Sequence, residues 1–347
     1  MHIAVQIDRE QTRRLAARFD EAMDIIANEF TALDTHQQYR NAFSRLLKWD
    51  PLGRVLMLGT DQRDLFVPEL RRAIVDFVPK AGAVFDFGCG DGQTLALAAD
   101  ALPGGTRLSF EDPNPDYVDR YRRFVESRGD LEVGVTLVAG FDEMDEVARR
   151  QKVELPGEGS IDLGLALHML FFVADLERSL IRMARFLAPG GGLFIVLADE
   201  SDGYTGHALR AFIEAGGETG ANAHHLGAIV ERRRLLASAD TLLDSLRHAL
   251  PERVHRVSAQ RQPSRLYGHS LSDMIALSTI ATLATVEGIE KLAVARRLLE
   301  ERPALVDLRI EDDGPRAGML SVAQPQFVVR VERLSDLGSK VRTGIAV

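Results

Sequence analysis

Cysteine is nearly absent from this sequence. Cys89 is the one cysteine among 347 residues, so no disulfide can form within the chain. Structural disulfides belong to oxidising compartments, and a chain without them is typical of a reducing one. We therefore expect a cytoplasmic protein.

Long apolar runs and an excess of positive charge are missing as well. The most apolar helical stretch, Met274 to Val286, is too short to span a bilayer. The opening residues, MHIAVQIDRE, lack the apolar core of a signal peptide. The formal net charge is −9, which argues against a nucleic-acid backbone or an anionic membrane as the main partner.

The material that is present is that of an ordinary globular protein, with 46% hydrophobic and 27% charged residues. A length of 347 residues suits one large domain with an elaboration, or two domains. The adjacent His224 and His225 have no Asp, Glu or Cys at metal-ligand spacing. We expect surface histidines there and predict no metal site.

The stretch VFDFGCGDGQT, residues 84–94, is the strongest local signal. Its short apolar run, interrupted by Asp86, predicts a buried parallel strand. Gly88, Gly90 and Gly92 follow at alternate positions, and the pattern then turns helical. Strand, glycine turn and helix together predict a nucleotide site, because a backbone without side chains lets a ligand approach the turn. An ordinary tight turn is the alternative.

The spacing of the glycines indicates which kind of nucleotide the turn binds. A dinucleotide-binding turn needs a third glycine where this chain has Gln93, which excludes GxGxxG. The pattern Asp86-x-Gly88-x-Gly90-x-Gly92 resembles the first motif of class I S-adenosylmethionine (SAM)-dependent methyltransferases. The resemblance implies SAM as cofactor and S-adenosylhomocysteine (SAH) as product, bound by this turn with Cys89 in it.

The second predicted strand ends in acids. A carboxylate at that place in a doubly wound sheet accepts hydrogen bonds from the ribose hydroxyls of an adenosine. Asp112 is preferred for this role, because Pro113 and Asn114 begin the next turn and helix. Glu111 and a purely helix-capping role for the acid are the alternatives.

The third predicted strand, Val133 to Val138, leads to Phe141 and Asp142. In SAM enzymes this loop lies beside the adenine. We expect Asp142 to accept from the adenine amino group and Phe141 to cover the ring. The start of a solvated helix is the alternative.

Residues Ile161 through Val173 predict the fourth strand, running out at the carboxyl edge of the sheet. His168 is the one titratable side chain between Asp162 and Asp175, so it is the candidate to orient or deprotonate a substrate. A packed strand-edge histidine is the alternative. Its neighbours Leu167, Phe171 and Phe172 are candidates for lining the cofactor and substrate pockets.

A helix and a glycine turn then lead into the fifth strand, in the sequence FLAPGGGLFIVL at residues 186–197. This segment resembles the late motif of the class I methyltransferases. Two motifs in the right order, about a hundred residues apart, are more specific than either alone.

A closer resemblance, from about Tyr39 to Glu332, is to the histamine N-methyltransferases. It is carried by DPNPDYV at 112–118, by the run from Asp162 to Asp175, and by Gln326-Phe-Val-Val. The resemblance places a substrate-contacting amide of that family on His168 and its C-terminal asparagine near Ala323. It implies catalytic roles for His168 and Tyr39, and substrate contacts from Tyr39, Trp49, His168, Phe171, Phe172 and Gln326.

The implied fold is a Rossmann-like α/β fold with a seven-stranded, mostly parallel sheet. Residues 1–80 are expected to form an N-terminal helical segment, acting as a lid or as the contact of a homodimer. Residues 81–265 form the SAM-binding core, 266–318 a helical insertion that covers the substrate, and 319–335 the last strand.

The implied function is methyl transfer from SAM to a nitrogen of a small amine or imidazole-type metabolite. Small-molecule O-methylation is one alternative. The other is a SAM-binding protein without catalysis that acts through its helices.

Overall fold

The computed structural model describes residues 5–6, 16–49, 55–216, 244, 246–251, 254–280, 283 and 286–335. The chain divides into two compact units. The first combines residues 1–65, 198–241 and 261–326, and the second combines residues 66–197, 242–260 and 327–347. The predicted pair His224 and His225 lies outside the described residues.

The strands, in chain order, are β1 (Val5–Gln6), β2 (Lys48–Trp49), β3 (Val55–Leu56), β4 (Ala83–Phe87), β5 (Thr106–Asp112), β6 (Leu131–Val138), β7 (Ile161–Leu167), β8 (Leu187–Ala198), β9 (His255–Gln262), β10 (Arg265–Gly268), β11 (Arg309–Ile310), β12 (Leu320–Ala323) and β13 (Gln326–Arg333). The α-helices are α1 (Ala16–Thr31), α2 (Thr35–Ser44), α3 (Gln62–Phe77), α4 (Gln93–Ala96), α5 (Pro115–Ser127), α6 (Met144–Gln151), α7 (Leu176–Phe186), α8 (Tyr204–Glu214), α9 (Leu271–Leu277) and α10 (Glu290–Glu301).

The second unit is built on a seven-stranded sheet in the order β6-β5-β4-β7-β8-β13-β9. Strand β4 pairs in parallel with β5 and β7, and parallel pairs also join β5 to β6 and β7 to β8. The chain runs outward from β4 to β6 and then returns to β7, so its crossovers reverse direction beside β4. Ligands of such sheets bind at this reversal, beyond the carboxyl ends of the strands. The predicted Rossmann-like fold is confirmed.

Helices cover the sheet because its strands are apolar on both faces, as parallel strands usually are. In β4 every residue after Ala83 is buried. Tyr121 of α5 stacks on Phe110 of β5 with ring centroids 4.3 Å apart. The same core contains side chains from α3, β7 and β8, including Phe66, Leu70, Ile74, Leu163, Leu165, Phe194 and Val196.

The first unit has its own core. Helices α1, α2, α8, α9 and α10 contribute to it, with buried side chains that include Phe19, Ile26, Phe30, Ala42, Tyr204, Met274, Leu292 and Leu299. A four-stranded sheet in the order β1-β11-β12-β10 completes this unit, and β2 pairs with β3. Helices from the predicted N-terminal segment and the predicted insertion therefore share one hydrophobic core. No helix among the described residues combines the length and apolar character needed to cross a bilayer.

Helix α3 begins at Gln62, where the hydroxyl of Thr60 accepts the Gln62 amide hydrogen. One helix prediction was wrong in its bounds. The predicted helix after the glycine turn is interrupted: α4 ends at Ala96, and a separate 3-10 turn covers Ala99–Ala101.

Two strand predictions also differ from the structure. Strand β7 stops at Leu167 instead of continuing to Val173, because the next residue, His168, has a φ of +57° that no strand accommodates. Strand β8 begins at Leu187 rather than Leu193, with a register shift against β7 where the glycine run passes.

The close approach of α3 to β8 yields a stability prediction. A Cβ at Gly192 would lie 2.4 Å from Cε2 of Phe77, so we expect Gly192→Ala to lower the free energy of unfolding by about 1–3 kcal/mol. At Gly104 a Cβ would meet nothing within 4 Å, so Gly104→Ala is the matched control. Urea denaturation of both variants measures the difference. Equal stability of the two would contradict this packing.

Candidate functional site

The glycine turn follows β4 at the carboxyl edge of the second unit's sheet. Gly88, Gly90 and Gly92 have φ values of +59°, +56° and +77°, a region that favours glycine. A Cβ at Gly88 would lie 2.6 Å from Cβ of Met169, and one at Gly92 would lie 2.5 Å from the Tyr121 ring. A Cβ at Gly90 would meet nothing within 4 Å. The middle of the turn therefore faces open space while both ends are packed.

The two acids that end β5 hold this turn. An oxygen of Glu111 accepts the Gly88 amide hydrogen at 2.9 Å, and Oδ2 of Asp112 accepts that of Gly90 at 3.0 Å. The other Asp112 oxygen accepts from Asn114 at 2.8 Å. Glu111 has no exposed surface, whereas Asp112 retains 9% exposure and is followed by the exposed Pro113. Of the two predicted ribose contacts, Asp112 is therefore the accessible one.

Asp86 lies beneath the turn, where burial raises its pKa to about 7. The hydroxyl of Tyr121 donates to its Oδ2 at 3.0 Å and opposes that rise, whereas the charge of Asp112 adds to it. Burial likewise raises the pKa of Glu111 to about 8. The pKa of the Cys89 thiol is raised by burial and by the nearby carboxylates, so Cys89 is a neutral part of the turn.

These carboxylates fit a ligand that brings positive charge or hydrogen-bond donors. Among the described residues, Oδ1 of Asp86 and Oε2 of Glu111 are buried without a hydrogen-bond partner. SAM carries a sulfonium and an ammonium group, and the open face of Gly90 leaves room beside the acids. The residues present therefore suit the cofactor implied by the sequence. Over the same part of the chain, no group of three or more His, Cys, Asp or Glu side chains is arranged to hold a metal ion.

The loop after β6 contains the predicted adenine contacts. Asp142 is exposed, and its Oδ2 accepts the Ala174 amide hydrogen at 2.7 Å, which ties this loop to the segment after β7. Phe141 is buried, with its ring edge-on to Phe87 at 5.5 Å. The guanidinium of Arg182 lies 4.8 Å from the centre of that ring. Phe141 thus offers little free ring surface to an adenine, and Asp142 is the accessible member of the pair.

His168 lies at the end of β7, next to the glycine turn. Its amide donates to the Val196 carbonyl at 2.7 Å, and its ring meets Phe66 edge-on with centroids 5.9 Å apart. The following residue, Met169, packs against Gly88. A left-handed backbone is uncommon for a residue other than glycine, and histidine is among the few types that adopt it. Such a residue at the ligand edge of a sheet favours a functional role.

The other predicted contacts flank His168. Leu167, the last residue of β7, is half-buried and packs against the core of the second unit. Phe171 and Phe172 meet edge-on with centroids 6.5 Å apart, and Phe172 is 47% exposed. These aromatic side chains stay candidates for a substrate pocket.

The remaining predicted substrate contacts belong to the first unit. Tyr39 of α2 is half-buried and stacks on Phe43, with centroids 5.9 Å apart. Trp49 pairs with Val55 between β2 and β3, and its side chain lies outside the described residues.

Gln326 has no exposed surface, and within the described residues its Oε1 has no hydrogen-bond partner. Its Nε2 donates to the carbonyl of Gln62 at 3.0 Å and to Oε1 of Gln262 at 2.9 Å. The substrate contact of Gln326 stays a prediction.

Two contributors to the site were not found from the sequence. Tyr121 supports Asp86 from α5, but in the sequence it is one apolar position of an amphipathic helix. Arg182 contacts Phe141 from α7, where nothing distinguishes it from Arg178 and Arg185. Both act across the fold, and a single helix pattern does not encode such pairings.

The raised pKa values of Asp86 and Glu111 predict how stability depends on pH. The unfolded chain titrates these acids near 3.8 and 4.5, whereas the native values are about 7 and 8. The native state keeps protons that the unfolded state loses, so their contribution to stability is full below about pH 4 and is lost as pH rises to about 8. Asp86→Asn has no proton to lose, so the unfolding free energy of the variant relative to that of the wild type should rise between about pH 4 and pH 7.

Urea denaturation at several pH values measures this gain. Asp119→Asn, an exposed position on α5, is the control and should follow the wild type at every pH. A constant difference between Asp86→Asn and the wild type would contradict the raised pKa.

Comparisons with known proteins agree with this geometry. Residues 85–195 match the family model described as a methyltransferase domain, a range that contains the glycine turn, both acids of β5 and His168. Human thiol S-methyltransferase TMT1A is 26% identical over 153 residues. That match covers 43% of this chain and 57% of the human protein, so the chain spans little more than half of this relative's length.

Solved structures of similar topology are distant in sequence. The YcgJ protein of Bacillus subtilis is 10% identical with a TM-score of 0.47, covering 78% of this chain and 98% of that one. A putative methyltransferase of Bacillus halodurans is 12% identical with a TM-score of 0.48, covering 78% and 99%. The fold assignment rests on the strand order and not on these scores. Residues 85–195 of this chain are thus similar to a methyltransferase domain, and they lie on a sheet with the strand order of the Rossmann-like fold.

Proposed function

We propose that the protein transfers the methyl group of SAM to a nitrogen of a small amine or imidazole-type metabolite. The observation that carries this proposal is the place of His168, which follows β7 directly and lies beside the glycine turn. Met169, the residue after His168, packs against Gly88 of the turn, and we infer that the imidazole faces the acceptor nitrogen.

The cofactor contacts follow from what the turn leaves open. The open face of Gly90 adjoins Asp112, whose Oδ2 accepts the Gly90 amide hydrogen and whose Oδ1 accepts that of Asn114. We assign the ribose hydroxyls to Asp112 and the adenine amino group to Asp142. The buried acids Asp86 and Glu111 complement the positive charge of the cofactor.

The methyl group that SAM supplies is already activated, so the tasks left to the protein are alignment, exclusion of water and removal of a proton. A neutral nitrogen attacks with its own lone pair, and a cationic amine must first be deprotonated. The imidazole of His168 can accept a hydrogen bond from the nitrogen or take its proton. Phe171 and Phe172 supply aromatic surface beside it, which suits a flat or cationic substrate.

A thiol is the second candidate acceptor. The human protein that is 26% identical to part of this chain is named a thiol S-methyltransferase. A thiol has to lose its proton to become a good nucleophile, and an imidazole at position 168 also suits that step.

Isotope-labelled SAM with separate pools of small amines, thiols and phenols distinguishes these functions. Mass spectrometry of the products reports whether transfer occurs and which atom receives the methyl group. A product methylated on nitrogen supports the proposal, and one methylated on sulfur supports the second candidate. Binding of SAM without transfer to any pool would contradict both.

The proposal also includes a homodimer through α1 and α2 and a cytoplasmic location. Helix α1 presents Ile25, an apolar side chain that is 44% exposed. Light scattering of the wild type and of Ile25→Glu measures the assembly, and a monomeric wild type would contradict it.

We expect Asp112→Ala to weaken SAH binding about tenfold or more, because it removes the ribose acceptor and frees the Gly90 amide. Isothermal calorimetry measures the affinity. Asp119→Ala removes the same charge from an exposed position of α5 and should bind like the wild type. Unchanged affinity in Asp112→Ala would refute the assignment.

For His168, the informative pair of variants is His168→Asn and His168→Ala. Asparagine tolerates the left-handed backbone and can form hydrogen bonds, but it cannot take a proton. Alanine is less suited to that backbone, and its side chain can neither form a hydrogen bond nor take a proton. If His168 accepts a proton, both variants should lose about 100-fold in kcat/KM with SAH affinity unchanged. If it only orients the substrate, asparagine should restore most of the activity. Full activity in His168→Ala would mean that His168 has only a packing role.

A further inference from the structure

We infer that Arg182 is a positioning residue that holds the loop segment from Phe141 to Asp145, which comprises the 3-10 turn Phe141–Glu143 and the first two residues of α6, in the conformation that binds the cofactor. This inference rests on the proposed function, in which Asp142 contacts the adenine. Arg182 belongs to α7 and does not itself contact the ligand. It acts through the loop.

Arg182 contacts this loop in three ways. Its Nη1 donates to the carbonyl of Phe141 at 2.8 Å, and its Nη2 pairs with Oδ1 of Asp145 at 2.8 Å. The guanidinium also lies over the Phe141 ring, 4.8 Å from its centre. Because the guanidinium is planar and rigid, these contacts fix the two ends of a five-residue segment relative to each other. Only 21% of the Arg182 side chain is exposed, but Asp145 is 64% exposed, so solvent screens the ion pair more than the hydrogen bond to the carbonyl of the buried Phe141.

The loop so fixed adjoins both the ribose and the adenine candidates. The amide of Ala139 donates to the carbonyl of Asp112 at 3.1 Å, which joins the start of the loop to the acid of β5. Asp142 is held from its other side by the Ala174 amide. The loop is therefore held at three places: next to Asp112 through the Ala139 amide, at Asp142 by the Ala174 amide, and by Arg182.

The charge of Arg182 also acts on Glu111, whose pKa it lowers against the effect of burial. The groups that set the protonation of Glu111 are Asp86 and Asp112, which raise its pKa, and the Gly88 amide and Arg182, which lower it. Loss of the guanidinium should therefore raise the pKa of Glu111, so that the site becomes anionic at a higher pH.

The same helix offers a matched control. Arg178, four residues earlier, is exposed, and its side chain makes no hydrogen bond or ion pair within the described part of the chain. Arg178 and Arg182 both line a surface groove of about 700 Å³. Arg178→Met and Arg182→Met thus make the same change of charge and volume in one groove, but only the second removes contacts to the loop.

The experiment measures SAM and SAH affinity by calorimetry, together with kcat and the KM for SAM, across pH. In Arg182→Met we expect the Kd and KM for SAM to rise about tenfold, the loss typical of a charge-assisted hydrogen bond, while kcat at saturating SAM changes little. The pH midpoint of SAM binding should rise as well. Arg182→Lys should recover part of the affinity and the wild-type pH midpoint, and Arg178→Met should match the wild type.

Other outcomes overturn the inference. Wild-type affinity in Arg182→Met would refute it while leaving the proposed function intact. A variant with a lower melting temperature and fewer active molecules, but with unchanged Kd per active site, would assign Arg182 a purely structural role. Absence of SAH binding in the wild type would overturn both the inference and the proposed function. Asp145→Asn removes only the ion pair and should raise the Kd about two- to threefold, which tests the inference if Arg182→Met does not fold.

Discussion

The site depends on two adjacent carboxylates that accept backbone hydrogens from a left-handed glycine turn. Glu111 accepts from Gly88 and Asp112 from Gly90, so the last two residues of β5 fix the turn that follows β4. Both strands lie side by side in parallel, which brings their carboxyl ends to the same edge. A hydrogen bond from a backbone amide fixes the direction in which that amide points. Together, the bonds to Glu111 and Asp112 determine where the turn ends and which of its atoms face a ligand.

Burying these acids has an energetic cost that a cationic ligand would offset. Asp86 and Glu111 are buried with one oxygen each lacking a partner in the described structure, and their pKa values are raised. A site of this kind is stable without its ligand only when protonated, and it becomes a better cation site as it loses protons. Cofactor affinity and stability of the free protein should therefore respond to pH in opposite directions.

The parts of this protein that the sequence predicted are those with a strong local signal. Strand β4, its glycine turn and the acid ends of β5 combine an apolar run with residues that need a special backbone or a specific charge. The four-stranded sheet of the first unit was not predicted, because strands of two to four residues such as β11 and β12 are too short to show alternation. The burial of Gln326 and the contacts of Arg182 depend on partners far away in sequence, which no periodicity reports.

Backbone conformation restricts the residue types that suit position 168. Position 168 has a φ of +57°, and it is this left-handed residue that ends β7. Besides glycine, the residues that tolerate this region best are Asn, Asp and His. An amide and an imidazole are thus interchangeable for the fold but not for the chemistry, since only the imidazole can take a proton. A residue with positive φ follows each of these two parallel strands, Gly88 after β4 and His168 after β7. At Gly88 the absence of a side chain admits Met169, whereas at position 168 the same backbone region carries an imidazole.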